Sequence, residues 1–142
     1  MASALNLLLS PNATNHTELR DAYNRALAQA EELYIASAYL TEWDTSCKLG
    51  KACRSIVFLV GTDFNLTRKE AMRNVLRWVP KHISFSFTAI SSKSGNFHPK
   101  IVAWKSSHGK YHCIVGSSNL SKAAFSNNHE ANVMMEILAH GL

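Results

Sequence analysis

Apolar positions in the first third of the chain fall into a helical rhythm. Leu19, Tyr23, Ala26, Ala30 and Leu33 recur in steps of three and four, which places them on one face of an α-helix. Asn15 with Glu18 three residues later forms a capping-box pattern, so a helix is predicted over 16–33. Residues 33–40, rich in small and aromatic side chains, read as a strand, and a polar loop holding Gly50 follows over 41–51. The run over 55–60 is continuously apolar with β-branched residues, which suits a central strand buried on both faces, and Gly61 ends it. Thr67 and Glu70 repeat the capping pattern. Ala71, Met72, Val75, Leu76 and Val79 then mark one helical face, and Pro80 stops the helix.

Alternation over 82–90 gives another strand, and 91–96 has loop composition. Two strands are expected over 100–104 and 111–115. The polar segment 105–110 with Gly109 joins them into a hairpin that Gly116 ends. A short helix is expected to begin near 118–121 and run to about 126, and 131–138 supplies a last apolar strand. Helices interleaved with strands and a hairpin, without repeat, low-complexity tract or linker, describe one α/β domain over 1–142, free-standing or a fragment of a longer protein.

Composition agrees with this pattern. The 142 residues are 46% hydrophobic and 18% charged, which excludes a disordered tail, a collagen and a disulfide-stapled mini-protein. The longest apolar runs fall far short of the ~20 residues of a membrane helix, so no membrane partner is expected. The apolar stretch 4–9 is too short, and lacks a preceding Lys or Arg, to serve as a secretory signal, which leaves a cytoplasmic home as the default. Cys47, Cys53 and Cys113 cannot all pair within one chain and read as reduced thiols.

The net charge of +5 is unevenly spread. Residues 1–71 carry seven Lys and Arg against eight Asp and Glu, whereas residues 72–142 carry eight basic residues against Glu130 and Glu136 alone. The excess lies wholly in the second half, where a local positive field would attract a phosphate-bearing polyanion. A solvated basic surface accounts for the same count.

That half also holds His98-Pro99-Lys100, Gly116-Ser117-Ser118-Asn119 and Glu130. Residues two apart on a strand leave the same face, so an imidazole and an ammonium would converge. The hairpin would return Gly116 to Asn119 beside the start of its first strand, making His98, Lys100, Ser117 and Asn119 neighbours. Such a group suits phosphoryl transfer. Imidazole is a nucleophile near neutral pH, while an ammonium and an amide hold non-bridging oxygens and stabilise transition-state charge. Glu130 would hydrogen-bond one ring nitrogen of His98 and leave the other free to attack.

His98-x-Lys100 followed by Gly116-Ser117-x-Asn119 resembles the HxK…GSxN signature of the phospholipase D-like superfamily. Glu130, eleven residues after Asn119, resembles its single-motif nuclease branch, which includes metal-independent restriction endonucleases. The resemblance covers 97–133. It implies an αβα sandwich, a mixed central β-sheet flanked by helices, and hydrolysis of DNA phosphodiester bonds without cofactor or metal. It also implies a covalent phosphohistidine on His98, phosphate binding by Lys100 and Asn119, and a second HxK histidine that protonates the leaving oxygen. Because the chain has one HxK, that mechanism requires a homodimer with the active site on its twofold interface. The sequence departs from the common pattern where an Asp usually stands five residues beyond the lysine. Lys105 occupies that position, and the hairpin is about four residues longer than usual.

Gly116, Ser117 and Lys105 complete the substrate-binding set, with Lys105, Lys110 and Lys122 as candidates to line a DNA groove. His108 and His112, with Cys113, alternate with Lys110 and lack a fourth ligand at metal-site spacing, so they read as surface and strand residues. Trp43, Trp78 and Trp104 read as core or interface aromatics. The alternatives are a DNA-binding domain of a larger restriction, repair or helicase protein that grips a phosphate backbone with little or no turnover, and a lipid phosphodiesterase. The lack of an amphipathic membrane-surface segment counts against the lipid enzyme.

Overall fold

The computed structural model of the chain describes residues 2–10, 18–91, 93, 96–121 and 130–138. Within them lie β1 (Ala2–Ser10), α1 (Glu18–Gln29), β2 (Glu32–Ser37), β3 (Ser55–Gly61), α2 (Lys69–Trp78), β4 (Ser84–Ile90), β5 (Lys100–Ser106), β6 (Lys110–Gly116) and β7 (Glu130–Leu138). The strands form one mixed sheet in the order β1-β7-β6-β5-β2-β3-β4. β2, β3 and β4 run parallel, and every other pairing is antiparallel.

Side chains from both helices enter one core. Leu19, Ala22 and Ala26 of α1 and Ala71 and Val75 of α2 join Leu33, Ile35, Ile56, Phe58, Val60, Val102, Trp104 and Ile114 in a single buried cluster. Burial alternates along β3, with Ile56, Phe58 and Val60 inside and Val57 and Leu59 only half-buried, so the strand is not closed on both faces as its apolar run suggests. Trp43 and Trp78 pack edge to face at 4.9 Å, and the Trp78 indole donates to the Cys47 carbonyl at 2.6 Å, as core aromatics do. Trp104 is fully buried, and Cys47, Cys53 and Cys113 are free thiols.

Several boundaries move for identifiable reasons. α1 ends at Gln29, and Leu33, the last position of its apolar rhythm, opens into β2 because helix and strand bury the same core. Thr67 does not cap α2. Its hydroxyl instead accepts from the Leu40 amide at 3.1 Å and donates to the Gly61 carbonyl, tying the ends of β2 and β3 together, while Arg68 occupies the capping position. The apolar stretch 4–9, weighed only as a signal, lies in β1 and pairs with β7 at the far end of the sequence. Residues 118–121 are not helical, and Leu120 forms a parallel bridge with Leu40. The rest of the expected helix, residues 122–126, lies outside the described residues, as does Asn15.

The hairpin turns through Ser107–Gly109, where His108 and Gly109 adopt φ of 64° and 69°. His108 is exposed but His112 is buried, not a surface residue. Two cations of the basic half are paired across the charge divide, Arg73 and Arg77 lying 3.4 and 3.6 Å from Glu70. These pairs are exposed and contribute little stability. Among the described residues, no helix is long and apolar enough to cross a membrane.

Candidate active site

The site residues gather at the carboxyl ends of the parallel strands, the end of an open α/β sheet at which ligands bind. Ser37 closes β2 opposite Lys100, and Ile101 of β5 pairs with Val115 of β6, so Lys100 and Gly116 lie side by side. Gly116 in turn faces Asn132 of β7. Three adjacent strand ends, of β5, β6 and β7, thus deliver His98, Lys100, Ser117, Asn119 and Glu130 to one edge, next to the end of β2.

Each backbone segment is pinned. The Ala38 amide donates to the Pro99 carbonyl at 2.8 Å, which fixes the centre of His98-Pro99-Lys100. Gly61 leaves room for that approach, since a Cβ there would meet the Ala38 carbonyl at 2.4 Å and the Phe97 ring at 3.2 Å. At Gly116 a Cβ would lie 2.3 Å from the Ala131 carbonyl oxygen and 2.6 Å from Asn132, so only glycine lets β7 approach. The next residue is clamped from both sides. The Ser117 amide donates to the Ala131 carbonyl at 3.0 Å, and its hydroxyl oxygen accepts from the Ala131 amide at 3.0 Å.

Lys100 Nζ lies 2.6 Å from Nδ1 of His98 and 3.3 Å from the His98 carbonyl. Tyr39 sets its ring edge to face against the imidazole, with centroids 5.8 Å apart. His98 itself is exposed, so its other ring nitrogen is not walled off. The lysine's position lowers its pKa below the ordinary range, chiefly because burial disfavours the ammonium, while the Glu130 charge acts in the opposite sense. Glu130 is buried and accepts a hydrogen bond from the Ser117 hydroxyl. The expected Glu130 to His98 hydrogen bond is therefore replaced: Lys100 meets the ring nitrogen, and the carboxylate anchors Ser117. Asn119 Oδ1 is buried with no hydrogen-bond partner, an orphaned polar atom within the cluster.

Lys105 is not brought to this edge. It stands five residues along β5, about 16 Å at strand rise, beside Tyr111, whose ring centroid lies 5.9 Å from its Nζ. The structure adds residues that the sequence reading missed. Ser37 Oγ donates to the Tyr39 carbonyl at 2.7 Å and accepts from the Leu120 amide at 3.3 Å. Asn132, fully buried, donates to Ser118 Oγ at 2.8 Å and accepts from the Ser118 amide at 3.4 Å. A polar side chain at a core-facing position of an apolar strand is the signal that marks Asn132. Tyr23 of α1 is a further neighbour, its hydroxyl pushed above the usual range by burial first and then by the Glu130 charge.

Solved structures share this arrangement of strands. Nuc from Salmonella typhimurium, a phospholipase D family member, superposes with a TM-score of 0.64 at 18% identity, over 95% of this chain and 84% of that one. NucT from Helicobacter pylori gives 0.60 at 21% identity, over 93% and 84%. The chain has the phospholipase D-like fold. The yeast tyrosyl-DNA phosphodiesterase matches at 0.60 and 10% identity over 98% of this chain, which spans 34% of the yeast one. The sequence matches no family model and no curated protein. In this phospholipase D-like sheet, the close approach of β7 at Gly116 and the Ser117–Glu130 anchor give structural reasons for a glycine, a serine and an acid in the positions they hold.

Proposed function

We propose that the chain is a phosphodiesterase of the phospholipase D-like nuclease type, hydrolysing DNA without a metal at a site completed by a second copy. The observation that carries this reading is the contact between Lys100 Nζ and His98 Nδ1 at the sheet edge that also holds Asn119, whose Oδ1 is buried without a hydrogen-bond partner. The comparison with Nuc, NucT and the yeast phosphodiesterase supports the reading through the shared fold.

In this mechanism the phosphate draws Lys100 Nζ off the imidazole. His98 then attacks phosphorus through its ring nitrogen, forming a P–N bond as the P–O bond to the leaving nucleoside oxygen breaks. The partner subunit's His98 gives that oxygen its proton. The same histidine then takes a proton from water, whose oxygen attacks phosphorus, breaks the P–N bond and restores His98. One phosphodiester and one water become a phosphomonoester and an alcohol. Lys100 and Asn119 stabilise charge on the non-bridging oxygens, worth about 10²–10³ in rate for each well-placed donor. The three free thiols suit a reducing, cytoplasmic compartment.

The test is cleavage of DNA in EDTA by the wild-type chain and His98→Asn, with mass spectrometry of protein quenched in alkaline denaturant, where a histidine P–N bond survives. A nucleotidyl adduct on His98 and loss of activity in the variant are expected. Full EDTA-resistant activity in His98→Asn would sink the mechanism, and DNA binding that falls steeply with salt but gives no product would reduce the site to a phosphate grip.

A further inference from the structure

At the opposite ends of β5, β6 and β7 lies a second arrangement of chemical groups, about 20 Å of strand away from Lys100. Ser106 Oγ lies 2.9 Å from Nε2 of His112, and Nδ1 of the same ring lies 3.5 Å from Oε2 of Glu136. The strand register produces this line: Ser106 pairs with Lys110, and His112 pairs with Glu136 across the next ladder. Trp104 stacks on the imidazole at 4.8 Å with planes 8° apart, which fixes the ring's orientation. An open depression of about 490 Å³ borders the group, lined by Gln29, Glu31, Ser106, His108, His112 and Glu136, with room for a small organic ligand.

We propose that Ser106, His112 and Glu136 form a nucleophile, base and orienting acid that hydrolyse short-chain carboxylic esters. The chemistry follows from the contacts. Glu136 facing Nδ1 favours the tautomer with its proton there, which leaves the Nε2 lone pair to accept from the Ser106 hydroxyl. The competing acceptor for that hydroxyl, the Lys110 carbonyl, is more distant at 3.4 Å. Burial keeps the imidazole neutral to a lower pH than usual, helped by the Lys110 charge and opposed by Glu136. A neutral imidazole is the form a general base requires. Nδ1 itself is buried and makes no hydrogen bond, Glu136 standing 3.5 Å away, a separation common before substrate closes such a site.

In the reaction, Ser106 Oγ attacks the ester carbonyl carbon while its proton passes to His112 Nε2. The tetrahedral intermediate collapses as the C–O bond to the alcohol breaks and His112 returns the proton to the departing oxygen. Water then gives a proton to His112 and attacks the acyl-serine. His112 reprotonates Ser106 as the acid leaves, so ester and water become acid and alcohol. Lys110, which lines the same depression with its Nζ 3.4 Å from Glu136, supplies positive charge for the carbonyl oxygen.

The intact chain is treated with a fluorophosphonate and mapped by mass spectrometry, alongside p-nitrophenyl acetate hydrolysis. One phosphonyl adduct on Ser106 is expected. Ser106→Ala should lose it and at least about a hundredfold of the ester rate while still melting cooperatively as a folded protein. Glu136→Gln should slow labelling and lower the pH at which it is half-maximal, because the carboxylate charge that holds the imidazole pKa up is gone, a shift that a merely structural role would not produce. His98→Asn should label as fast as the wild type, so a failed phosphodiesterase reading leaves this test intact. Absence of the Ser106 adduct in folded protein, or wild-type ester turnover by Ser106→Ala, overturns the proposal.

Discussion

Lys100 Nζ sits 2.6 Å from His98 Nδ1, so in the proposed mechanism the ammonium that holds phosphate rests on the imidazole that attacks it. The two groups constrain each other's protons. A charged Lys100 donates to Nδ1 and leaves the ring proton on Nε2, so neither ring nitrogen has a free lone pair, and a phosphate that draws Nζ away frees Nδ1. Lys100→Met should therefore remove both phosphate affinity and control of the histidine, lowering kcat/KM by about 10³ or more, from ~10²–10³ for a lost oxyanion donor and a further proton-transfer defect. Steady-state cleavage of a fluorogenic dinucleotide phosphodiester checks this.

The pH profile carries a sign. Burial lowers the Lys100 pKa, so in the proposed mechanism the charge that would grip phosphate is lost below the ordinary lysine value of 10.5, and the alkaline limb of kcat/KM should fall short of that pH. Glu130 works against the shift, so Glu130→Gln should move the limb further toward neutrality. Folding stability obeys the same linkage. The unfolded chain binds this proton more tightly, so stability should rise with pH through the window below 10.5, and the Lys100→Met protein should lack that rise in urea titrations.

Gly116→Ala should be costly although it adds one methyl group. The new Cβ would lie 2.3 Å from a backbone carbonyl and 2.6 Å from Asn132, neither of which can swing aside as a side-chain tip does. An overpacking cost of about 1–3 kcal/mol is expected, seen as a fall in Tm of roughly 2–4 °C per kcal/mol, together with slower cleavage because Ser117 moves with the strand.

The fold was legible where neighbours in sequence are neighbours in space. The hairpin over 100–116 and the helix over 69–78 follow from local alternation and periodicity, and the HxK and GSxN segments were placed together because one hairpin joins them. β1 was not legible, since its partner β7 lies at the other end of the chain and a six-residue apolar stretch names no partner. Lys105 shows a different limit: strand rise, not charge, decides that it cannot reach the site. Glu130 was found by its spacing, but its hydrogen bond to Ser117 depends on the Ala131 ladder, which no motif encodes.

Asn132→Ala tests the support beneath the GSxN loop. It removes the 2.8 Å bond to Ser118 Oγ and leaves a buried hydroxyl unpaired, which should cost about 1–3 kcal/mol. Because the same side chain holds the Ser118 amide, KM should rise more than kcat falls, measured with the same dinucleotide substrate.

Lys105→Ala should alter DNA cleavage less than twofold. The slope of log affinity against log salt should also stay unchanged, whereas loss of a phosphate-contacting lysine would lower it by about one. Fluorescence anisotropy across a salt series decides this.

The pairing of β1 with β7 also sets an order of events. Ser10 lies opposite Glu130, so closing that ladder joins residues 120 positions apart, among the slowest contacts for a chain to make. The parallel core of β2, β3 and β4 can form from segments already near one another. The strand that carries Glu130 gains its outer partner only when the two distant segments meet. A ribosome-bound chain that has not yet emerged through residue 138 has Lys100 and His98 but not this finished ladder, and the edge that gathers His98, Lys100 and Glu130 is among the last parts of the molecule to set.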